Sequence, residues 1–161
     1  MSAQAATAGQ KLEGSQDGAN LRVGIIVARF NSEVTSGLLG GALEVLDEGR
    51  VAPDAVDIAY VPGSFELPLA AQTMARSGTY DAVICLGAII KHETRHDEFI
   101  ANAVAGGITQ AALDSGVPIV FGVLTTENEQ QAVARSTGDN NRGRDAARTA
   151  IEMANLLRTM A

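Results

Sequence analysis

The sequence predicts a single α/β domain of three layers, α/β/α, with a parallel sheet of four strands in the order 2-1-3-4. Short apolar runs rich in Val and Ile alternate along the chain with longer segments whose apolar residues recur every three or four positions. The runs at 23–28 and 82–86 contain no polar residue, which is typical of parallel strands covered by helices on both faces. A chain of 161 residues, 46% of them hydrophobic, is long enough for one domain with a full core.

The elements follow one another as short strand and longer helix. In order, we predict a strand over 22–28, a helix capped by Asn31 or Ser32 and stopped at Gly49, a strand over 56–61, a helix ending near Gly78, a strand from 82 that leads into Gly87 to Ile90, a helix from about Arg95 to Gly116, a strand over 119–124, a short helix opened by a capping box over 126–129, and a helix over 142–160. The predicted strand order is that of flavodoxin-like folds.

Three further expectations concern the N-terminal tail, the long helix and the assembly of the protein. Residues 1–20 contain almost no large apolar side chain, so we predict a flexible tail there and one domain over 21–161. Phe99, Val104 and Ile108 share one face of the long helix, and we predict that this face is core. A sheet of four strands leaves edges and helix faces uncovered, which favours a homo-oligomer.

Charge and cysteine content restrict the partners and the compartment. The net charge of −7 argues against nucleic acid and anionic membranes as partners, because both would repel the protein. The single cysteine, Cys85, lies in a predicted buried strand, so we expect no internal disulfide and a reducing, cytoplasmic location. No apolar segment has the length of a membrane span, and the N-terminus lacks the pattern of a signal peptide.

Candidate functional residues gather where the first three predicted strands end. Ligands of open parallel sheets bind beyond the carboxyl ends of the strands. These ends deliver Phe30 and Asn31, then Ser64, Phe65 and Glu66, then Ala88, Ile89 and Ile90, followed by Glu93, Thr94 and His96. Aromatic residues make up only 4% of the chain, so two phenylalanines in these loops suggest stacking on a planar heterocycle. A histidine at a helix start is a candidate for proton transfer near neutral pH, and amides there attract a phosphate or carboxylate.

Each candidate has a purely structural alternative. Phe30 could fill space between a helix and the sheet, and Glu66 could be an acid favoured by the dipole of a first helical turn. Thr94 could be a helix cap. Arg135 and Arg142 could be ordinary surface charges on amphipathic helices.

The segment from His92 to His96 matches the H-E-x-x-H pattern of zinc hydrolases. That pattern requires a continuous helix, but here an apolar strand leads straight into the segment. His92 and His96 therefore need not share a face, and the chain contains no third histidine. We predict no metal site, and keep a zinc hydrolase as an alternative that elemental analysis would test.

Five blocks of the sequence carry a family resemblance. They are Ala28 to Asn31, Pro62 to Pro68, Gly87 to Ile90 with His96, Gly116 to Thr126, and Ala150 to Asn155. From about Leu21 to its C-terminus the chain resembles the 6,7-dimethyl-8-ribityllumazine synthases. The resemblance implies a cofactor-independent transferase that condenses 5-amino-6-ribitylaminouracil with 3,4-dihydroxy-2-butanone 4-phosphate in the penultimate step of riboflavin biosynthesis.

The resemblance also implies roles for individual residues. Phe30 would stack on the pyrimidine, and His96 would move protons. The remaining contacts to the ribityl chain and the ring would come from Ser64, Phe65, Glu66, Ala88, Ile89 and Ile90. Glu93 and Thr94 would bind the phosphate, with Arg135 as its cationic anchor. Phe121 would reach the pocket of an adjacent subunit, which implies a homo-oligomer, at least a pentamer, with shared active sites.

The chain departs from the family pattern at several positions. Relatives usually have Arg-Gly where this chain has Lys91-His92, and an aromatic residue where it has Asp97. Arg142, a candidate substrate-binding residue, stands where many relatives carry lysine. The break before it is shorter than in members that form sixty-subunit shells, which favours a pentamer. The alternatives to the synthase are a non-catalytic shell-forming or pteridine- or flavin-binding homologue, and a paralogue that acts on lumazine as a riboflavin synthase.

Overall fold

The computed structural model describes residues 9–161 and has the predicted architecture. The four strands form one parallel sheet in the order β2-β1-β3-β4, with helices on both faces. The elements are β1 (Val23–Ala28), α1 (Ser32–Glu48), β2 (Val56–Val61), α2 (Leu67–Arg76), β3 (Ala82–Ile90), α3 (His96–Ser115), β4 (Ile119–Thr126), α4 (Glu129–Ala134) and α5 (Arg142–Met160). The predicted three-layer α/β/α fold is therefore confirmed.

The two central strands separate two hydrophobic cores. Every residue of β1 and β3 is buried. On one face of the sheet, Ile25 and Ile84 pack with α1 and α5, and on the other face Ile26 packs with α2 and α3. Side chains alternate between the two faces of a strand, so both faces of an uninterrupted apolar strand become core.

Helices α1 and α5 approach each other closely because glycines lie between them. A Cβ atom built on Gly143 would stand 1.9 Å from the carbonyl oxygen of Leu38. The buried side chain of Asn141 joins the same region: its Nδ2 donates to the carbonyl oxygens of Gly37 (2.8 Å) and Ser136 (3.0 Å), and its Oδ1 accepts from the amide of Gly143 (2.8 Å). One amide side chain thus caps α5 and ties it to α1.

We expect the substitution Asn141→Ala to lower the free energy of unfolding by about 2 to 4 kcal/mol, because it removes a helix cap and leaves one buried and one partly buried carbonyl group without that donor. Asn128→Ala is the matched control. Asn128 also caps a helix, but with one bond to the amide of Gln131 at an exposed site, so its loss should cost about 1 kcal/mol. Urea denaturation of both variants measures the difference, and equal losses would show that the bridge to α1 contributes nothing.

Several predicted details differ from the structure. Strand β4 continues to Thr126, so the capping box predicted over 126–129 is wrong; Asn128 is the N-cap of α4 instead. Asn31 precedes α1, but its side chain makes no capping hydrogen bond. Phe99 is 71% exposed, so the predicted core face of α3 is wrong at that residue, although Val104 and Ile108 are buried as expected.

The segment before β1 packs along α5. Residues 1–8 of the predicted flexible tail lie outside the described residues. Within the rest of the tail, the carbonyl oxygens of Ser15 and Asp17 each accept a hydrogen bond of 2.9 Å from the side chain of Asn155, and the carboxylate of Asp17 pairs with Arg50. The sequence did not predict these contacts. Within residues 9–161, every helix is too short or too polar to cross a membrane.

Candidate active site

A cavity of about 440 Å³ opens at the carboxyl end of the sheet. Nine of the predicted site residues line it: Phe30, Ser64, Phe65, Glu66, Ala88, Ile89, Ile90, Thr94 and His96. Residues far apart in the chain meet there because β1, β2 and β3 are parallel neighbours, so that their ends lie at one edge. The cavity combines two aromatic rings, two carboxylates and two imidazoles.

The end of β1 is fixed in place by hydrogen bonds to both neighbouring strands. The backbone amide of Phe30 donates to the carbonyl oxygen of Pro62 (3.1 Å), and Nδ2 of Asn31 donates to that of Ala88 (2.8 Å). Asn31 adopts a left-handed backbone conformation with φ of 63°, which asparagine tolerates better than most residues. Phe30 is 67% exposed, so within one chain its ring does not fill the space between helix and sheet.

After β2, a single 3₁₀ turn, Ser64–Glu66, presents the next group of residues. The Oε2 atom of Glu66 accepts a hydrogen bond from the amide of Gly63 (3.0 Å), so the residue has a structural role, and it also lines the cavity. Ser64 is buried, and Phe65 is 62% exposed. A Cβ atom on Gly87 would stand 2.5 Å from Oγ of Ser64, so β3 needs glycine there to accept the turn.

The connection from β3 to α3 brings both histidines to the cavity. The amide of His96, the first residue of α3, donates to Oγ1 of Thr94 (3.3 Å), which places Thr94 as a cap-like acceptor at this helix start. His92 lies in the connection before the helix, so the two imidazoles do not share a continuous helix as the zinc pattern requires. Among residues 9–161, no three His, Cys, Asp or Glu side chains are grouped closely enough to hold a metal ion.

Four predicted site residues lie outside the cavity. Phe121, 44% exposed on the edge strand β4, and Arg142, at the start of α5, line a second concavity of about 680 Å³. Arg135 donates from Nη1 to the carbonyl oxygen of Gln131 (3.1 Å), and Glu93 is exposed in the connection before α3. A single chain does not bring these four residues to the cavity.

A model of the family described as 6,7-dimethyl-8-ribityllumazine synthase matches residues 20–158, which is most of the chain. The chain belongs to this family. Lumazine synthases are transferases of riboflavin synthesis that act on small molecules and assemble as oligomers. The match extends from just before β1 almost to the end of α5, and therefore includes every element that lines the cavity.

The cavity also contains residues to which the sequence assigned no substrate contact. They are Asn31, Pro62, Gly63, His92, Asp97 and Ile100. The sequence placed Asn31 both in the predicted pocket and as a helix cap, but its bond to Ala88 links residues 57 positions apart, for which the sequence carries no local signal. Ile100 could have been found from its spacing, because residues four positions apart share one face of a helix and Ile100 lies four positions after His96. The same spacing carries no signal for Asp97, which lies one position after His96.

Cys85 lies in β3 but is completely buried, and burial raises the pKa of its thiol to about 12. We expect no reaction with thiol reagents at pH 8 while the protein is folded. The thiol ionises at lower pH in the unfolded chain than in the folded one, so its contribution to stability is complete below about pH 8.5 and is lost as pH rises toward 12, at about 1.4 kcal/mol per pH unit. Unfolding of the wild type and of Cys85→Ala between pH 8 and 11 measures this difference, and parallel curves would contradict it.

Proposed function

We propose that this protein is a 6,7-dimethyl-8-ribityllumazine synthase. It condenses 5-amino-6-ribitylaminouracil with 3,4-dihydroxy-2-butanone 4-phosphate, and releases inorganic phosphate and two molecules of water. The proposal is supported above all by the convergence of Phe30, Glu66 and His96 on one cavity in a chain of this family. Groups that stack on a ring, accept hydrogen bonds and exchange protons are the ones that this condensation needs.

The uracil substrate occupies the part of the cavity formed by the ends of the first three strands. The exposed ring of Phe30 stacks on the pyrimidine, and the carboxylate of Glu66 accepts hydrogen bonds from hydroxyl groups of the ribityl chain. Ser64 and Phe65 complete this side of the pocket. The backbone of Ala88, Ile89 and Ile90 contacts the ring edge, where β3 ends.

His96 performs the proton transfers. The 5-amino group of the uracil attacks the carbonyl of the butanone and forms an imine with loss of the first water. Phosphate is then eliminated, and the ribitylamino nitrogen attacks the carbonyl that the resulting enol forms, which closes the second ring with loss of the second water. Each step adds or removes a proton at nitrogen, oxygen or carbon, and an imidazole serves as both acid and base near neutral pH. Because His96 begins α3, it stands beside Thr94 and the amides that would receive the phosphate.

A second copy of the chain completes the site. Phe121 and Arg142 lie on the exposed side of β4 and α5, so they are available to a neighbouring subunit and not to the cavity of their own chain. In the assembly we propose, a pentamer, Phe121 closes the ring pocket of the neighbour, and Arg135 and Arg142 supply positive charge for its phosphate. Glu93 offers its backbone amide to the same phosphate.

Purified protein mixed with both substrates in the presence of a chelator should form the fluorescent lumazine. The shared site adds a second requirement, that activity per subunit falls when dilution dissociates the oligomer. Sedimentation measured across the same concentrations establishes where dissociation occurs. Absence of product at every protein concentration would contradict the proposed function, and ring binding without product would instead favour a non-catalytic homologue. Full activity of isolated subunits would contradict only the shared site.

A further inference from the structure

The charges that line the cavity are unusual for a site that would receive a phosphate. Two carboxylates, Glu66 from the turn after β2 and Asp97 from α3, face it. Over the described part of the chain, residues 9–161, no lysine or arginine is among the lining residues. Of the lining side chains, those of His92 and His96 are therefore the two that can become positively charged.

The cation nearest in sequence points elsewhere. Lys91 directly precedes His92, and its backbone amide donates to the carbonyl oxygen of Thr126 (2.9 Å) at the end of β4. Its Nζ atom lies 3.5 Å from Oε2 of Glu127, and the side chain lines a separate concavity on that side. The backbone bond to β4 thus directs Lys91 to one side of the connection, while His92 lines the cavity on the other.

We propose that the imidazole of His92 binds the phosphate group of the butanone substrate, an inference that rests on the proposed function. Protonated imidazole donates a charge-assisted hydrogen bond to phosphate oxygen. Only the protonated ring carries a charge, so the contact weakens as pH rises. His92 and His96 then have different roles: His92 binds the leaving phosphate, and His96 transfers protons at the reacting atoms.

The pH dependence must be separated from that of the other titratable groups. Three titratable residues face the cavity together with His92: Glu66, His96 and Asp97. Glu93 and Arg95 lie on the same connection as His92, and the residues that the end of β1 contributes to the lining are uncharged. The substrate phosphate also titrates near pH 6. All of these groups remain when His92 alone is replaced. The ratio of the variant's KM for the butanone phosphate to that of wild type, taken at each pH, therefore isolates the contribution of His92.

The test compares His92→Gln with wild type, and Lys91→Gln serves as the matched control because Lys91 is adjacent but directed away from the cavity. At about pH 6, we expect His92→Gln to raise KM for the butanone phosphate about tenfold, with KM for the uracil and kcat within about twofold of wild type. The ratio of the variant's KM for the butanone phosphate to that of wild type should fall as pH rises. Lys91→Gln should leave both KM values unchanged.

Calorimetric titration with inorganic phosphate provides a readout that does not depend on turnover. At about pH 6, His92→Gln should bind phosphate about tenfold more weakly than wild type. Equal phosphate affinity, or equal effects on the KM values of both substrates, would overturn the role of His92 even if the enzyme is active. Absence of product from the wild type together with His92-dependent phosphate binding would instead contradict the proposed reaction while leaving the phosphate contact in place.

Discussion

Replacing His96 by alanine is expected to lower kcat by about 10²- to 10⁴-fold, the range typical of a lost general acid–base group. His96 is exposed at the first position of α3, where its side chain makes none of the described hydrogen bonds, so the fold should tolerate the change. Product formation under saturating concentrations of both substrates measures kcat. KM values should change far less, because the group acts on protons and contributes little to holding the ground state.

Two controls distinguish this loss from damage to the protein. The unfolding midpoint and the sedimentation of His96→Ala should match the wild type. His96→Gln restores hydrogen bonding but not proton exchange, so it should remain as inactive as His96→Ala. A His96→Ala variant with wild-type kcat would remove the proton-transfer role, and recovery by glutamine would reduce it to positioning.

Replacing Gly143 by alanine is expected to destabilise the fold by about 3 kcal/mol or more, which belongs to the range of severe single substitutions. The added Cβ would stand 1.9 Å from the carbonyl oxygen of Leu38, and backbone atoms cannot rotate away as a side chain can. Helices α1 and α5 would have to separate, which would weaken the core that both helices share with the sheet. Urea denaturation gives the loss directly.

Gly40→Ala is the matched control for this substitution. Gly40 lies in the same helix pair, within α1, but a Cβ atom there meets nothing within 4 Å. Alanine should stabilise the helix at that position by about 0.5 to 1 kcal/mol through its greater helix propensity. Opposite signs for the two substitutions would identify close packing as the cause, and a stable Gly143→Ala variant would show that the helices can shift apart at little cost.

The predicted elements that agree with the structure are those with strong local signals. Helix α5 begins at Arg142 and ends at Met160 as predicted, because a turn-rich break precedes a long stretch of regular apolar spacing. Strand β2 also has its predicted bounds. The convergence of Phe30 and His96 on one cavity followed from a topological rule, since the ends of parallel strands lie at one edge of the sheet.

The predictions that differ concern what lies next to a residue in space. Periodicity places Phe99 on the apolar face of α3, but it does not reveal whether the same chain or another molecule covers that face. The position of Asn31 before α1 suggested a cap, whereas the bond that it makes depends on the distant carbonyl of Ala88. Phe121 does not belong to these differences: it lies within β4 as predicted, outside the cavity of its own chain, and its contact with an adjacent subunit stays a prediction.

The hydrogen bonds of Asn31 and Phe30 have a consequence for recognition. Both join the loop after β1 to neighbouring strand ends of the same chain, so the backbone that carries the aromatic ring loses its conformational entropy during folding. A planar molecule that arrives later does not have to order this loop. The loop that carries Phe30 is preorganised, so the affinity of the cavity for flat rings should depend little on loop rearrangement.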